Sequence, residues 1–143
     1  MDDELKREII LDNYNDPFHK GLIDDDSYCR VNSRSESCID NLDFIMKVNG
    51  DIIEDIRFDG EACAISTSAS SILIRSLIGK TIKEAKDILN NYQNMISEKE
   101  YDADLLGELL VYDKVAKQPN RKNCALLPKV AVEKLLGELN NVK

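Results

Sequence analysis

The chain has 143 residues and a net charge of −8, from 27 acidic and 19 basic side chains. That length fits one domain, so we predict a single domain over residues 1–143. A domain of this size buries about 68–70% of the surface that its unfolded chain exposes, and it needs no disulfides to fold. The acidic balance argues against nucleic acid and anionic membrane as partners, because both require a basic face.

The N-terminal residues Met1–Glu4 are acidic, and no apolar run has the length of a signal peptide core or a membrane span. We therefore expect a cytoplasmic protein. In such a reducing compartment the four cysteines favour metal binding or catalysis over disulfide bonds.

The first predicted element is a helix over residues 2–14. Leu5, Ile9 and Ile10 fall on one of its faces, with charged residues elsewhere. The Asn-Asp-Pro sequence at 15–17 ends it, because the residue before a proline avoids the helical region.

Strand periodicity follows the first helix. A short strand is predicted over 28–32, and a clearer one over 41–48, where apolar and polar residues alternate. Asn49-Gly50 is typical of a type I′ hairpin turn, and it leads into a return strand over 52–58. This part of the chain predicts a small antiparallel sheet.

The second half of the chain has helical spacing. Thr81 and Glu84 form a capping box for one of its helices. Pro128 is compatible with the last helix only within its first turn, where the N–H groups have no helical partner. The order of elements predicts an α+β fold, a small antiparallel three-stranded sheet with helices packed against one face. The predicted helices lie at 62–78, 82–95, 109–117 and 123–139.

Three cysteines lie at predicted element ends. Cys38 and Asp40 precede the second strand, Cys63 joins the last strand to a helix, and Cys124 begins the final helix. Functional residues concentrate in loops that a rigid scaffold of helices and strands holds in place. Thiolates bind metals and act as nucleophiles, and three thiolates with one carboxylate form a plausible tetrahedral zinc set.

The spacing alone leaves alternatives open. A helix N-terminus would favour the thiolates of Cys63 and Cys124, and Arg121 adds positive charge beside Cys124. No Cys-x-x-Cys pair is present, however, so three buried and inert cysteines remain the alternative. Cys29, in the first predicted strand, is expected to be a core cysteine, and His19, the only histidine, a surface or loop residue.

Three segments resemble the iron–sulfur assembly proteins of the IscU/NifU N-domain type, specifically the SufU branch. They are the opening sequence at 10–17 with Gly21, the second-cysteine block at 50–71, and the third-cysteine block at 121–127. The part from Gly60 to Ser71 is the most specific. Cys63 and Cys124 are 61 positions apart, Asn123 replaces the IscU-type histidine, and Arg121 matches the SufU arginine; these features favour SufU.

The resemblance implies a SufU/IscU-like fold in which Cys38, Asp40, Cys63 and Cys124 bind one zinc ion. Cys38 would accept persulfide sulfur from a pyridoxal-phosphate cysteine desulfurase, with Arg121 as an aid to thiolate activation. In related scaffolds the equivalent residues hold a nascent cluster, so iron or a transient iron–sulfur cluster is the alternative cofactor. The protein would be a zinc-dependent sulfurtransferase or a non-enzymatic scaffold, with downstream assembly proteins as further partners.

The chain departs from the family pattern at Ile39, which replaces the glycine of a Cys-Gly-Asp sequence. If that position has a positive φ, a β-branched residue is costly, and the loop carrying Cys38 and Asp40 is shaped differently. Two alternative functions follow. One is a divergent structural zinc-binding domain without a sulfur relay, and the other is an interaction domain without metal.

Overall fold

The computed structural model of the chain describes residues 1–34 and 39–142. Within these two ranges, four α-helices and three β-strands form the framework, and short 3₁₀ turns at 103–105, 107–112 and 115–117 precede the last helix. In chain order the elements are α1 (Asp3–Asn15), β1 (Cys29–Arg34), β2 (Asn41–Asn49), β3 (Ile52–Glu61), α2 (Ala64–Leu77), α3 (Ile82–Ile96) and α4 (Pro119–Val142).

The sheet is antiparallel throughout, with strand order β1-β2-β3. Leu42, Phe44 and Met46 alternate along β2 and are buried, and Phe58 of β3 pairs with Phe44. Helices α2 and α4 pack on the strands, and their apolar side chains join the same core. The α+β class predicted from the order of elements is therefore confirmed.

The segment after α1 runs along the free edge of β3. Gly21 N–H donates to the Phe58 carbonyl at 2.7 Å, and Phe58 N–H donates to the His19 carbonyl at 3.2 Å. His19 has a φ of 57° and places Nδ1 2.9 Å from Asp55 Oδ1. The segment covers an edge that would otherwise present unpaired backbone groups. His19 is thus a half-buried loop residue.

The hairpin turn differs from the predicted one. Asn49 pairs with Ile52, so Gly50 and Asp51 are the two turn residues. Gly50 has a φ of 63°, whereas the non-glycine residues with positive φ within 1–34 and 39–142 are His19 and Glu98. One positive φ at the first turn position fits type II′, and the predicted type I′ turn is wrong.

Helix α4 begins earlier than the sequence predicted. It starts at Pro119, a residue suited to the first helical position because its missing N–H needs no partner there. Pro128 consequently lies deep inside the helix and not in its first turn. The predicted helix over 109–117 is replaced by 3₁₀ turns. Among the described residues, none of the helices combines the length and apolar character that a membrane span requires.

Candidate metal centre

Asp40, Cys63 and Cys124 converge on one point, with one potential ligand atom from each lying within 4.8 Å of the others. Asp40 immediately precedes β2 and Cys63 shortly follows β3. These strand ends are adjacent because Asn41 pairs with Glu61. Packing of α4 against α2 then brings Cys124 to the same place.

The Asp40 carboxylate is bound to the start of α2. Cys63 N–H donates to Asp40 Oδ1 at 2.7 Å, and Cys63 Sγ lies 3.8 Å from Asp40 Oδ2. Cys63 is the N-cap of α2, and its Sγ accepts a hydrogen bond from Ser66 N–H at 3.4 Å. The predicted position of Cys63 at a helix N-terminus is correct.

Gly60 allows the two strand ends to come together. It has a φ of 132°, in the region that favours glycine. A Cβ on this residue would overlap the Asn41 carbonyl oxygen and lie 3.2 Å from Leu42 Cα. The close approach of β3 to β2 at this position places Cys63 next to Asp40, and it requires glycine.

Cys124 has a different environment from Cys63. It lies in the second turn of α4 and is buried, so the predicted position at a helix start, with its support for a thiolate, is wrong. Burial raises the pKa of the Cys124 thiol, and negative charge on Cys63 and Asp40 raises it further. Without a cation the Cys124 thiol therefore stays protonated at neutral pH.

Asp40 is ionised despite its burial. Only 2% of the residue is exposed. Burial raises the pKa of this carboxyl, but hydrogen bonds from the Ser66 hydroxyl and the Cys63 N–H outweigh that effect, and the net pKa is lowered. The site thus holds a fixed negative charge beside two thiols.

The sequence did not assign Ser66 to the site. Its Oγ lies 2.5 Å from Asp40 Oδ2 and 3.0 Å from the Cys124 carbonyl oxygen. The sequence feature that could have identified Ser66 is its spacing from Cys63. Three residues after Cys63, it falls in the first turn of α2, the turn that faces an N-cap ligand.

The donor set fits a zinc ion. Two thiols and one carboxylate are ligand types that zinc prefers, and a tetrahedral ion with Zn–S of about 2.3 Å and Zn–O of about 2.1 Å separates S from O by about 3.6 Å. The Cys63 Sγ to Asp40 Oδ2 distance of 3.8 Å is close to that value. A cation would also offset the mutual repulsion that opposes ionisation of Cys124.

The remaining predicted site residues have different positions. Cys38 lies outside the described residues. Arg121 is exposed on α4, one turn before Cys124, and lines a surface cavity with Ala64 and Ile65 of α2. Cys29 is half-buried in β1 and packs against the core, apart from the Asp40–Cys63–Cys124 group.

Ile39 does not prevent Asp40 from reaching the site. Its side chain is 73% exposed. Its φ is not positive, since His19 and Glu98 are the non-glycine residues with positive φ in the described part of the chain. The backbone strain expected if this position required glycine is therefore absent.

The family model for the NifU-like N-terminal domain matches residues 5–125. This chain belongs to that family. The resemblance seen in the sequence is confirmed, and two curated members illustrate it. The chain is 36% identical to the zinc-dependent sulfurtransferase SufU of Bacillus subtilis over 133 residues, covering 92% of this chain and 89% of the relative. It is 31% identical to the iron–sulfur cluster assembly scaffold protein IscU of Streptococcus pyogenes, covering 94% and 84% respectively.

Solved structures of NifU-family proteins share the fold. The crystal structure of FiSufU from Fervidobacterium islandicum AW-1, a candidate iron–sulfur assembly scaffold for the SUF system, superimposes with a TM-score of 0.80. It is 31% identical, and the match covers 90% of this chain and 94% of that one. The NifU-like N-terminal protein of Brucella abortus has a TM-score of 0.83, with coverage of 97% and 96%. At 20% identity it shows the fold alone.

Proposed function

We propose that this chain is an iron–sulfur cluster assembly protein that accepts persulfide sulfur from a cysteine desulfurase. The observation that carries the proposal is the convergence of Asp40, Cys63 and Cys124 within 4.8 Å in a chain of the NifU family. The named relatives are a zinc-dependent sulfurtransferase and an assembly scaffold, and both support this class of function. We further propose that the protein acts in the cytoplasm and passes its sulfur to downstream assembly proteins.

The resident metal in this proposal is zinc, held by Asp40, Cys63 and Cys124, with Cys38 as the fourth ligand. Cys38 stands two residues before Asp40 in the sequence, and the family resemblance implies that it is a ligand. Zinc would supply a positive charge that holds the thiols as thiolates and orders the ends of β2, β3 and α4 around them. Iron or a transient cluster is the alternative occupant.

The sulfur step is a thiol exchange on Cys38. Its thiolate attacks the outer sulfur of the persulfide carried by the desulfurase cysteine, which forms a new S–S bond on Cys38. The S–S bond on the desulfurase breaks, and its cysteine leaves as a thiolate. No external oxidant or reductant is needed, and Arg121 would favour the anionic sulfurs through its charge.

Metal content tests the site. Protein purified without chelator should contain about one zinc per chain, and Cys63→Ser or Cys124→Ser should lose most of it. Cys29→Ser is the matched control because Cys29 lies apart from the cluster, and it should retain the metal. Iron in the same stoichiometry would indicate the scaffold alternative. A metal-free wild-type chain would contradict both.

Persulfide trapping tests the relay. After incubation with a cysteine desulfurase and cysteine, an alkylating probe for persulfides should label Cys38 and leave Cys29 unlabelled. Cys38→Ser should abolish the label, whereas Cys29→Ser should not. A zinc-loaded chain that takes up no sulfur on Cys38 would instead be a structural zinc protein, the alternative left open by the sequence.

A further inference from the structure

Pro128 removes one backbone donor from the middle of α4. In an α-helix the N–H of each residue donates to the carbonyl four residues earlier, which for position 128 is the carbonyl of Cys124. Proline has no N–H, and its ring also pushes that carbonyl aside. The carbonyl of a buried candidate ligand therefore needs a donor from outside its own helix.

Ser66 supplies that donor. Its Oγ lies 3.0 Å from the Cys124 carbonyl oxygen and 2.5 Å from Asp40 Oδ2, and the side chain is fully buried. A serine hydroxyl carries one hydrogen, so the two acceptors share a single donor. The same oxygen lies 3.6 Å from Cys63 Sγ. Ser66 thus contacts all three members of the cluster.

Other buried hydroxyls bind the same stretch of α4. Tyr92 OH donates to the Ala125 carbonyl at 2.7 Å, and Ser33 Oγ donates to the Leu127 carbonyl at 3.3 Å. Both carbonyls lie in the turn that precedes Pro128, and a proline inside a helix generally disturbs that turn. The region that carries Cys124 is therefore held in place by side chains from α3 and β1 as well as from α2.

We propose that Ser66 is a positioning residue of the metal centre and that Pro128 makes this role possible. Because Pro128 frees the Cys124 carbonyl, the Ser66 hydroxyl joins the backbone of one ligand to the carboxylate of another. Its hydrogen bonds then fix the separation between Cys124 and Asp40. The inference rests on the proposed zinc site, and it concerns residues that do not themselves bind the metal.

Measurements of zinc affinity distinguish a positioning role of Ser66 from a role in packing alone. Ser66→Ala should weaken zinc binding about 10- to 100-fold in competition with a chelator, as loss of a group that orients ligands generally does. Ser70→Ala is the matched control. Ser70 is also fully buried on α2, and its replacement removes one hydrogen bond, to the Ser66 carbonyl. The zinc affinity of Ser70→Ala should nevertheless stay within about threefold of the wild-type value. Equal losses in both variants would overturn the positioning role.

Cobalt substitution reports the geometry of the metal ligands, which a purely structural role of Ser66 would leave unchanged. The ligand-field bands of Co²⁺ report the geometry of the thiolates and the carboxylate. Ser66→Ala should shift or broaden these bands, whereas Ser70→Ala should reproduce the wild-type spectrum. An unchanged spectrum in Ser66→Ala would contradict the proposal. A wild-type chain that binds neither zinc nor cobalt would refute the proposed metal function itself.

The link to Pro128 is tested without metal. Pro128→Ala restores a backbone donor for the Cys124 carbonyl, so the loss of the Ser66 hydroxyl should matter less in that background. The fall in urea midpoint caused by Ser66→Ala in metal-free protein should shrink by about half in Pro128→Ala. Additive midpoint shifts would show that the two residues act independently and would overturn the link.

Discussion

The two cysteines of the Asp40–Cys63–Cys124 group are held by different kinds of structure. Cys63 is the N-cap of α2, shortly after a strand, and its Sγ accepts a hydrogen bond from the Ser66 backbone N–H. Cys124 lies within the long helix α4, where burial and neighbouring negative charge raise the pKa of its thiol. One side of the site is therefore built by local chain geometry and the other by packing between distant elements.

The two cysteines therefore depend on a metal ion to different degrees. The Cys63 side is held by hydrogen bonds within the protein itself, because the N-cap and the Asp40 hydrogen bond need only β2, β3 and the start of α2. The Cys124 side becomes favourable to ionise only when a cation arrives. Five predictions test this division, in order of decreasing expected effect.

The largest effect is expected from Gly60→Ala. A Cβ would overlap the Asn41 carbonyl oxygen, and φ is 132°, so the variant should lose about 3 kcal/mol or more of unfolding free energy. Chemical denaturation of the metal-free protein measures this loss. Gly137→Ala is the control, because Gly137 lies in α4 and an added Cβ would meet no neighbouring atom within 4 Å. This variant should be neutral or slightly stabilising. A tolerated Gly60→Ala would disprove the close strand approach.

Asp40→Ala should have the next largest effect. The Cys63 N–H would lose its acceptor in a partly buried place, at a cost of about 2 kcal/mol at neutral pH. Asp40→Asn keeps an acceptor and should retain most of that stability. Denaturant midpoints of the metal-free variants at pH 7 give the comparison, and equal losses in Ala and Asn would show that charge, not the hydrogen bond, matters.

The Asp40 carboxylate should also make the stability of the protein depend on pH in the acid range. Its folded-state pKa is lowered from 3.8, so its contribution to stability is present above pH 3.8 and is lost as pH falls through the lower folded value. Wild-type protein should therefore lose more stability than Asp40→Asn between pH 5 and pH 3. Parallel pH profiles for the two proteins would contradict this assignment.

The contribution of Cys124 to stability should change with pH in the opposite direction. Its folded-state pKa is raised, so its contribution is present below the usual thiol pKa of about 8.5 and is lost as pH rises above it. Metal-free wild type should lose about 1 kcal/mol more than Cys124→Ala between pH 8 and pH 9.5. Cys29→Ala should follow the wild-type profile. Zinc should abolish this alkaline loss in the wild type, because the bound thiolate has no proton to retain in the folded state.

The sequence predicted the Cys63 side well because its signals are local. Strand alternation, Gly60 and the change to helical spacing all lie within a few residues of Cys63. The family resemblance was also most specific there. Asp40 was identified from its spacing to Cys38, and the structure brings its carboxylate to Cys63.

The Cys124 side was harder to predict because its determinants are distant. Pro128 suggested a later helix start, yet a proline inside a helix is tolerated where other groups satisfy the freed carbonyl, here the Ser66 hydroxyl. The serine and the proline are 62 positions apart in the sequence. Periodicity cannot reveal a hydrogen bond between two such elements, so both the helix start and the role of Ser66 were missed.

The smallest effect is expected at Ile39, where the sequence pattern had suggested a large one. Because its φ is not positive and its side chain is 73% exposed, glycine offers no relief of strain there. Ile39→Gly should lower stability by less than about 1 kcal/mol, through the greater freedom of the unfolded chain. Zinc affinity, measured by chelator competition, should stay within about threefold of wild type. A tenfold gain in affinity would instead mean that the isoleucine distorts the loop before Asp40, and the site would then be limited on the Asp40–Cys63 side and not at Cys124.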